Sequence, residues 1–303
     1  MITRDVGTFV GFAKNCAPDF GPSCAKAVFL IAPEGFALAE QSASDNRYMD
    51  MGLTTDAAKA LAEHRGLQSA LSAIVPTICF SGRADTPDAQ FPNNVFATAP
   101  GRLLLGHMRH AVRQREAERP DIRGFFAQAL GYREIDLRDQ PGLCELTGAL
   151  VIDRARGLGF CGLSERCDEA GAKAMHAAFG LRATLMFDLA PGEYHTNVVL
   201  SVLAGRAVVI APDGFADPAV VEGIAECYAP QVVRLGRDEK LGFAGNCIAV
   251  AEKAVFMSEA AACALRAENR RTLQDAGFAL HAVPLAEIEK AGGSLRCCVA
   301  EIY

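Results

Sequence analysis

Short apolar runs broken by glycine recur along the chain, and their spacing predicts most of its elements. Ala27-Val-Phe-Leu-Ile-Ala32, stopped by Pro33, reads as a strand, and Val75 to Phe80 reads as another. Between them, Thr54 or Thr55 is placed to cap a helix through Arg65, with Ala58, Leu61 and Ala62 at helical spacing and Gly66 just past its end. Four later stretches share one form, an apolar strand, a tight turn and a second apolar strand: Asn94 to Gly106, Gly148 to Cys161, Asn197 to Ile210 and Asn246 to Met257. The first three turn on glycine and the fourth on Glu252-Lys253. Asp168 caps a helix that ends at Gly180, Asp217-Pro218 opens a second, and Ser258 opens a third that stops at Gly277. A short apolar segment follows each of these helices, at 184–188, 231–235 and 280–284.

The hairpins start at 94, 148, 197 and 246, spacings of 54, 49 and 49, and a further 49 lands on Leu295. A period near fifty built of strand, strand, helix, strand predicts a radial array. The fold class is therefore α/β, a five-fold pseudosymmetric α/β propeller of ββαβ units. The last strand would complete the fifth unit beside 26–32 and leave no open edge. A doubly wound open sheet would need mostly parallel strands joined by helices, which the hairpins argue against. Residues 1–25 mix Gly, Pro and polar residues and read as an arm laid on the surface, with 26–303 as a single propeller domain.

A net charge of −6 without Lys/Arg clusters argues against nucleic acid as a partner. The basic stretches Arg109 to Arg115 and Arg266 to Arg271 read as solvated helix faces. No apolar run is long enough to span a bilayer, and Met-Ile-Thr-Arg-Asp leads into no signal peptide. The 11 cysteines show no CxxC spacing for zinc or redox work, and many unpaired thiols fit a reducing cytoplasm. No metal or organic cofactor is expected, and the reading leaves room for a homo-oligomer.

Candidate chemistry collects at the repeat entrances: Asp88, Asn93 and Asn94, then Glu145 and Arg166, then His195 and Asn197, then Asn246, and finally Arg296-Cys297-Cys298. A cysteine, a histidine and a carboxylate at equivalent ring positions fit nucleophilic catalysis with a general acid/base. If 295–303 is extended, Cys297 and Cys298 point to opposite faces, one to a pocket and one to the core. Arg296 beside them would favour thiolate. Each residue also has a structural reading, His195 as a core histidine and Arg166–Asp168 as an ion pair at a helix start.

The modules Phe91-Pro-Asn-Asn-Val-Phe96, Glu145-Leu-Thr-Gly148, Gly162-Leu-Ser-Glu-Arg166, His195-Thr-Asn197 and Gly292-Gly-Ser-Leu-Arg-Cys297 resemble the guanidino-group-modifying (pentein) superfamily. That superfamily includes arginine deiminases, dimethylarginine dimethylaminohydrolases and amidinotransferases. The resemblance implies Cys297 as nucleophile, His195 as general acid/base, Glu145 as the carboxylate gripping the guanidinium, and Arg166 as the binder of the substrate carboxylate. Asn93, Asn94, Asp88, Asn197 and Asn246, gathered at the same repeat entrances, are expected as substrate contacts. The implied function is hydrolysis of a guanidino or ureido C–N bond in arginine, methylarginine or citrulline through an S-linked intermediate. An amidinotransferase and a non-catalytic ring-shaped binding protein of the same fold are the alternatives. Dimethylargininases read Phe-Pro-Asp and end that motif in paired acids, whereas here Asn93, Asn94 and Thr98 stand there. Fewer carboxylates could favour a neutral ureido group.

Overall fold

Every hairpin of the repeat is present in the computed structural model, which describes residues 1–303. The strands are β1 (Ile2–Thr3), β2 (Ala27–Ile31), β3 (Thr77–Phe80), β4 (Phe96–Ala99), β5 (Arg102–Leu105), β6 (Arg133–Asp136), β7 (Leu150–Asp153), β8 (Leu158–Leu163) and β9 (Ala183–Asp188). They continue as β10 (Leu200–Leu203), β11 (Ala207–Ile210), β12 (Val232–Arg234), β13 (Ile248–Ala251), β14 (Ala254–Ser258), β15 (Ala279–Val283) and β16 (Ala300–Ile302). They form five small sheets, each an antiparallel pair, a hairpin in four of them, with a parallel third strand on its outer side. The fifth sheet closes the ring. β16 pairs antiparallel with β2, Ala300 opposite Phe29, and β2 pairs parallel with β3.

β4, β7, β10, β13 and β16 are the inner strands, with β16 beside β4 and β10 between β7 and β13. Outside them lie the helices: α1 (Val6–Lys14), α2 (Ala57–Ser72), α3 (Glu169–Phe179), α4 (Pro218–Glu226), α5 (Glu259–Ala264) and α6 (Ala267–Asp275). The caps follow the sequence at α3 and α4. Asp168 accepts the Gly171 N–H and Asp217 accepts the Ala219 N–H, while Gly180 ends α3 in the left-handed conformation.

Three expectations change. The first helix is capped by Asp56 and runs to Ser72, so Gly66 lies inside it; packing of Leu67 and Leu71 outweighs the helix cost of one glycine. The single helix expected from Ser258 to Gly277 is two, because Leu265 and Arg266 are extended and the Arg266 N–H donates to Glu239. The first 25 residues are more than a surface arm. β1 adds a parallel edge to β9, and α1 buries Phe9 against Phe160. None of the helices is long and apolar enough to cross a membrane.

Candidate active site

Four of the five inner strands are entered through a single helical turn, at Pro92–Asn94, Leu146–Ala149, Thr196–Val199 and Leu295–Cys298. Gly245-Asn246 occupies the same place before β13. These entrances bring the predicted residues into one layer across the ring axis.

Cys297 therefore sits on a helical turn rather than in an extended strand. It is buried, and Asn246 brackets it. The Asn246 Oδ1 accepts the Cys297 N–H at 3.3 Å, and the Asn246 Nδ2 lies 3.3 Å from Sγ while donating to the Asn197 carbonyl at 2.8 Å. Asn246, expected to touch substrate, here holds the thiol and its backbone. The Asn197 Oδ1 is 3.8 Å from the same Sγ. Burial pushes the Cys297 thiol up, and the Asn246 hydrogen bond only partly offsets it. Arg296, expected to favour thiolate, turns away to Glu301 at 2.9 Å and the Val299 carbonyl at 2.8 Å. Cys298 faces the core and donates to the Ser294 carbonyl at 3.5 Å.

His195 and Glu145 meet across two units, with Nε2 2.7 Å from Oε2 and both side chains wholly buried. The carboxylate also receives Arg166 Nη1 at 3.5 Å and the Arg109 N–H at 3.2 Å. Burial would raise Glu145, but the Arg166 charge and the His195 hydrogen bond outweigh it and bring it down to about 2. His195 is lowered by burial. The resting pair is thus a carboxylate and a neutral imidazole whose Nε2 carries the proton, leaving Nδ1 free of any protein partner. Glu145, expected to grip a guanidinium, has both oxygens engaged by protein groups, His195 among them. Leu146, directly after it, adopts φ 25°, a strained backbone at the turn.

Arg166 faces Tyr194, its guanidinium 5.0 Å from the ring centre. Its Nε and Nη2 bind Asp45 at 3.0 and 2.6 Å, and Nη2 also donates to the Ser42 carbonyl. Asp168 is its helix cap and not its partner. Asp45 further holds His110 at 3.0 Å and Arg109 at 3.4 Å. A carboxylate from the 36–53 loop therefore occupies the fork expected for a substrate carboxylate.

Below that loop lies a cavity of about 270 Å³ including its mouth, lined among others by Asp88, Phe91, Asn94, Arg113, Arg166 and Cys297. Asp88 accepts Ser42 Oγ through Oδ2 at 2.5 Å while Oδ1 has no protein partner, and burial pushes this carboxyl up. The Asn93 amide, Asn94 Oδ1 and Asn197 Nδ2 are also buried without protein partners. Buried polar atoms without partners cost stability unless a ligand or water satisfies them.

Sequence reasoning missed Arg113 and Asp45. Arg113 belongs to a stretch read as a solvated helix face, yet it is buried, bound through Nε and Nη2 to Glu116 at 2.7 and 2.9 Å and to the Phe91 carbonyl at 3.0 Å. The signal was the Arg113–Glu116 spacing of i,i+3, which locks an arginine on one helix face.

Gly148 lets this set assemble. A Cβ there would stand 2.8 Å from His195 Cε1 and Nδ1 and 2.9 Å from Asn94 Oδ1. Gly148→Ala is expected to lower kcat roughly 100-fold by displacing the imidazole, and to cost about 1–3 kcal/mol of stability through overpacking. Steady-state kinetics beside a thermal melt check both.

Five ββαβ units around an axis that ends in a buried Cys, His and Glu define the pentein class of α/β propellers. The family model described as N,N dimethylarginine dimethylhydrolase, eukaryotic, matches residues 32–303, and the chain belongs to that family of C–N hydrolases acting on guanidino groups. It is 27% identical over 220 residues to the N(G),N(G)-dimethylarginine dimethylaminohydrolase of Mycobacterium tuberculosis, spanning 72% of this chain and 68% of the relative. Among solved structures, the substrate-bound N-terminal domain of ArgZ, a cyanobacterial arginine dihydrolase, superposes with a TM-score of 0.78 at 19% identity, over 91% of this chain and 97% of that one. A mutant of DDAH from Pseudomonas aeruginosa complexed with citrulline gives 0.71 at 19% identity, over 92% and 100%. At these identities the two structures speak for the fold.

Proposed function

We propose that this chain hydrolyses a guanidino C–N bond of an arginine-like amino acid through a covalent adduct on Cys297. The observation that carries the reading is the buried Glu145–His195 pair, which leaves Nδ1 as a neutral base in the layer that holds Cys297. In the first step the Cys297 thiol gives its proton to His195 Nδ1 as Sγ attacks the central guanidinium carbon, and the departing amine leaves with that proton. In the second, water adds to the same carbon, His195 takes its proton, and the C–S bond breaks to regenerate the thiolate. Glu145 holds the imidazole tautomer and balances the imidazolium charge.

The cavity supports a head-to-tail assignment. Asp88 Oδ1 faces an α-ammonium, and Arg113 with Arg166 faces the α-carboxylate, which displaces Asp45 from the Arg166 fork. Asn93, Asn94 and Asn197 meet the planar reacting group. Asp88→Asn is expected to raise KM about 10- to 100-fold, the loss of one charge-assisted hydrogen bond, while kcat changes little. Initial rates over a substrate series would show it.

A ureido substrate is the second reading, favoured by one observation: the reacting end is met by neutral amides, and Asp88 is the carboxylate of the cavity without a cationic partner in contact. Product analysis on dimethylarginine, arginine and citrulline decides. Dimethylamine or ammonia with citrulline from a guanidino substrate supports the first reading, and ornithine with ammonia and carbon dioxide from citrulline supports the second. Silence on all three while a thiol reagent still labels Cys297 would remove both. The free state of all the cysteines supports a cytoplasmic setting.

A further inference from the structure

The layer that carries Cys297 separates two cavities. The substrate cavity lies on its loop side; on the strand side, along the ring axis, is a second of about 510 Å³ including its mouth. The inner strands β7, β10 and β13 wall it with Ile152, Val202 and Ala249, and Arg154 and Tyr303 flank it, the guanidinium 4.1 Å from the ring centre. Ile152 and Val202 are half-buried, so this cavity opens to solvent on the far face. Its inner end is Asn197 and Thr147. Asn197 spans the layer: Oδ1 faces the Cys297 thiol at 3.8 Å, and Nδ2 is wholly buried with no protein partner. Beside it Thr147 donates to the carbonyl of Asn93, whose own amide is unpartnered on both atoms.

A row of unsatisfied buried amides running from an open cavity to a buried thiol is a route for hydrogen-bonded water, which favours sites offering several polar partners. The second half-reaction needs such a route. Cys297 and His195 are buried, and the adduct fills the loop-side cavity while its carbon waits for water.

We propose that the far cavity is the inlet for the hydrolytic water, passed by Asn197 and Asn93 to the S-linked carbon while the substrate occupies the other face. This rests on the hydrolase reading above. The water oxygen bonds to the adduct carbon, its proton passes to His195, and the C–S electron pair returns to sulfur.

Narrowing the cavity far from the chemistry tests it. Val202→Trp at the mouth and Ala249→Leu in the wall touch neither Cys297 nor His195. Each is expected to leave kcat/KM and the rate of first-product formation unchanged and to slow adduct hydrolysis, and with it kcat, about tenfold or more. The adduct then accumulates on Cys297, visible by intact-protein mass spectrometry after quenching. Two variants keep the test alive if one fails to fold. A folded variant of either kind that turns over like the parent without accumulated adduct overturns the proposal, as does equal slowing of both steps. A parent protein that turns over none of the substrates points instead to failure of the hydrolase reading.

Discussion

Cys297→Ser is expected to lower turnover by about 10⁴-fold or more, the scale of removing a covalent nucleophile, with no adduct in a quenched mass spectrum. The more informative half of the prediction is pH. Burial holds the free Cys297 as a thiol, so labelling of the free enzyme by iodoacetamide should rise with pH beyond the ordinary thiol range. A bound guanidinium changes this. A unit charge about 4 Å from sulfur at an effective dielectric near 20 is worth about 4 kcal/mol, or roughly 3 pH units. The kcat for a guanidino substrate should therefore stay nearly flat through neutral pH. A neutral ureido substrate brings no such charge, and its kcat should climb as the thiol ionises. A guanidino kcat profile rising about tenfold per pH unit above neutrality would show that substrate charge does not activate the sulfur.

Glu145→Gln is the second large effect. The amide keeps the shape of the side chain but loses the charge that fixes the His195 tautomer and balances the imidazolium, so kcat should fall about 10³- to 10⁴-fold. Stability should fall as well. Removing one partner of a buried ion pair costs about 3–5 kcal/mol, and Arg166 keeps Asp45, so the lower end applies. The sign against pH follows from the depressed carboxyl. Its folded value of about 2 lies below the ordinary glutamate value of 4.5. The stabilisation is present above about pH 4.5 and fades as pH falls toward 2. Chemical denaturation of parent and variant at pH 7 and at pH 3 should give a gap that narrows in acid. A constant gap would mean that the charge of Glu145 does not contribute.

The repeat was legible because its cause is local. Apolar runs, glycine turns and the caps Asp168 and Asp217 act within a few residues of themselves, and a period repeated along the chain admits few arrangements. The pairing of β16 with β2 followed from the same period, since an unclosed ring would leave an edge. The chemical residues were legible as types at equivalent places. Cys297, His195 and Glu145 do converge on one layer, and the Glu145–His195 contact joins residues 50 positions apart.

Their partners were not legible, because a side chain's partner is chosen across the ring and not along the chain. Arg296 is next to Cys297 in sequence yet binds Glu301, and the thiol answers to burial and to Asn246, 51 residues away. Glu145 was read as free to grip a cation, but folding brings Arg166 and His195 onto it and leaves Asp88 as the open carboxylate. Arg113 looked solvated because its neighbours are polar, until the entrance turn at Phe91 closed over it. By itself, then, the sequence determined the repeat, the closure of the ring and the kinds of residue at its centre, since periodicity and short-range backbone preference decide these. Only the tertiary structure decided charge state, orientation and which polar atoms stay unpaired, because desolvation and pairing depend on what the other four units bring to the axis.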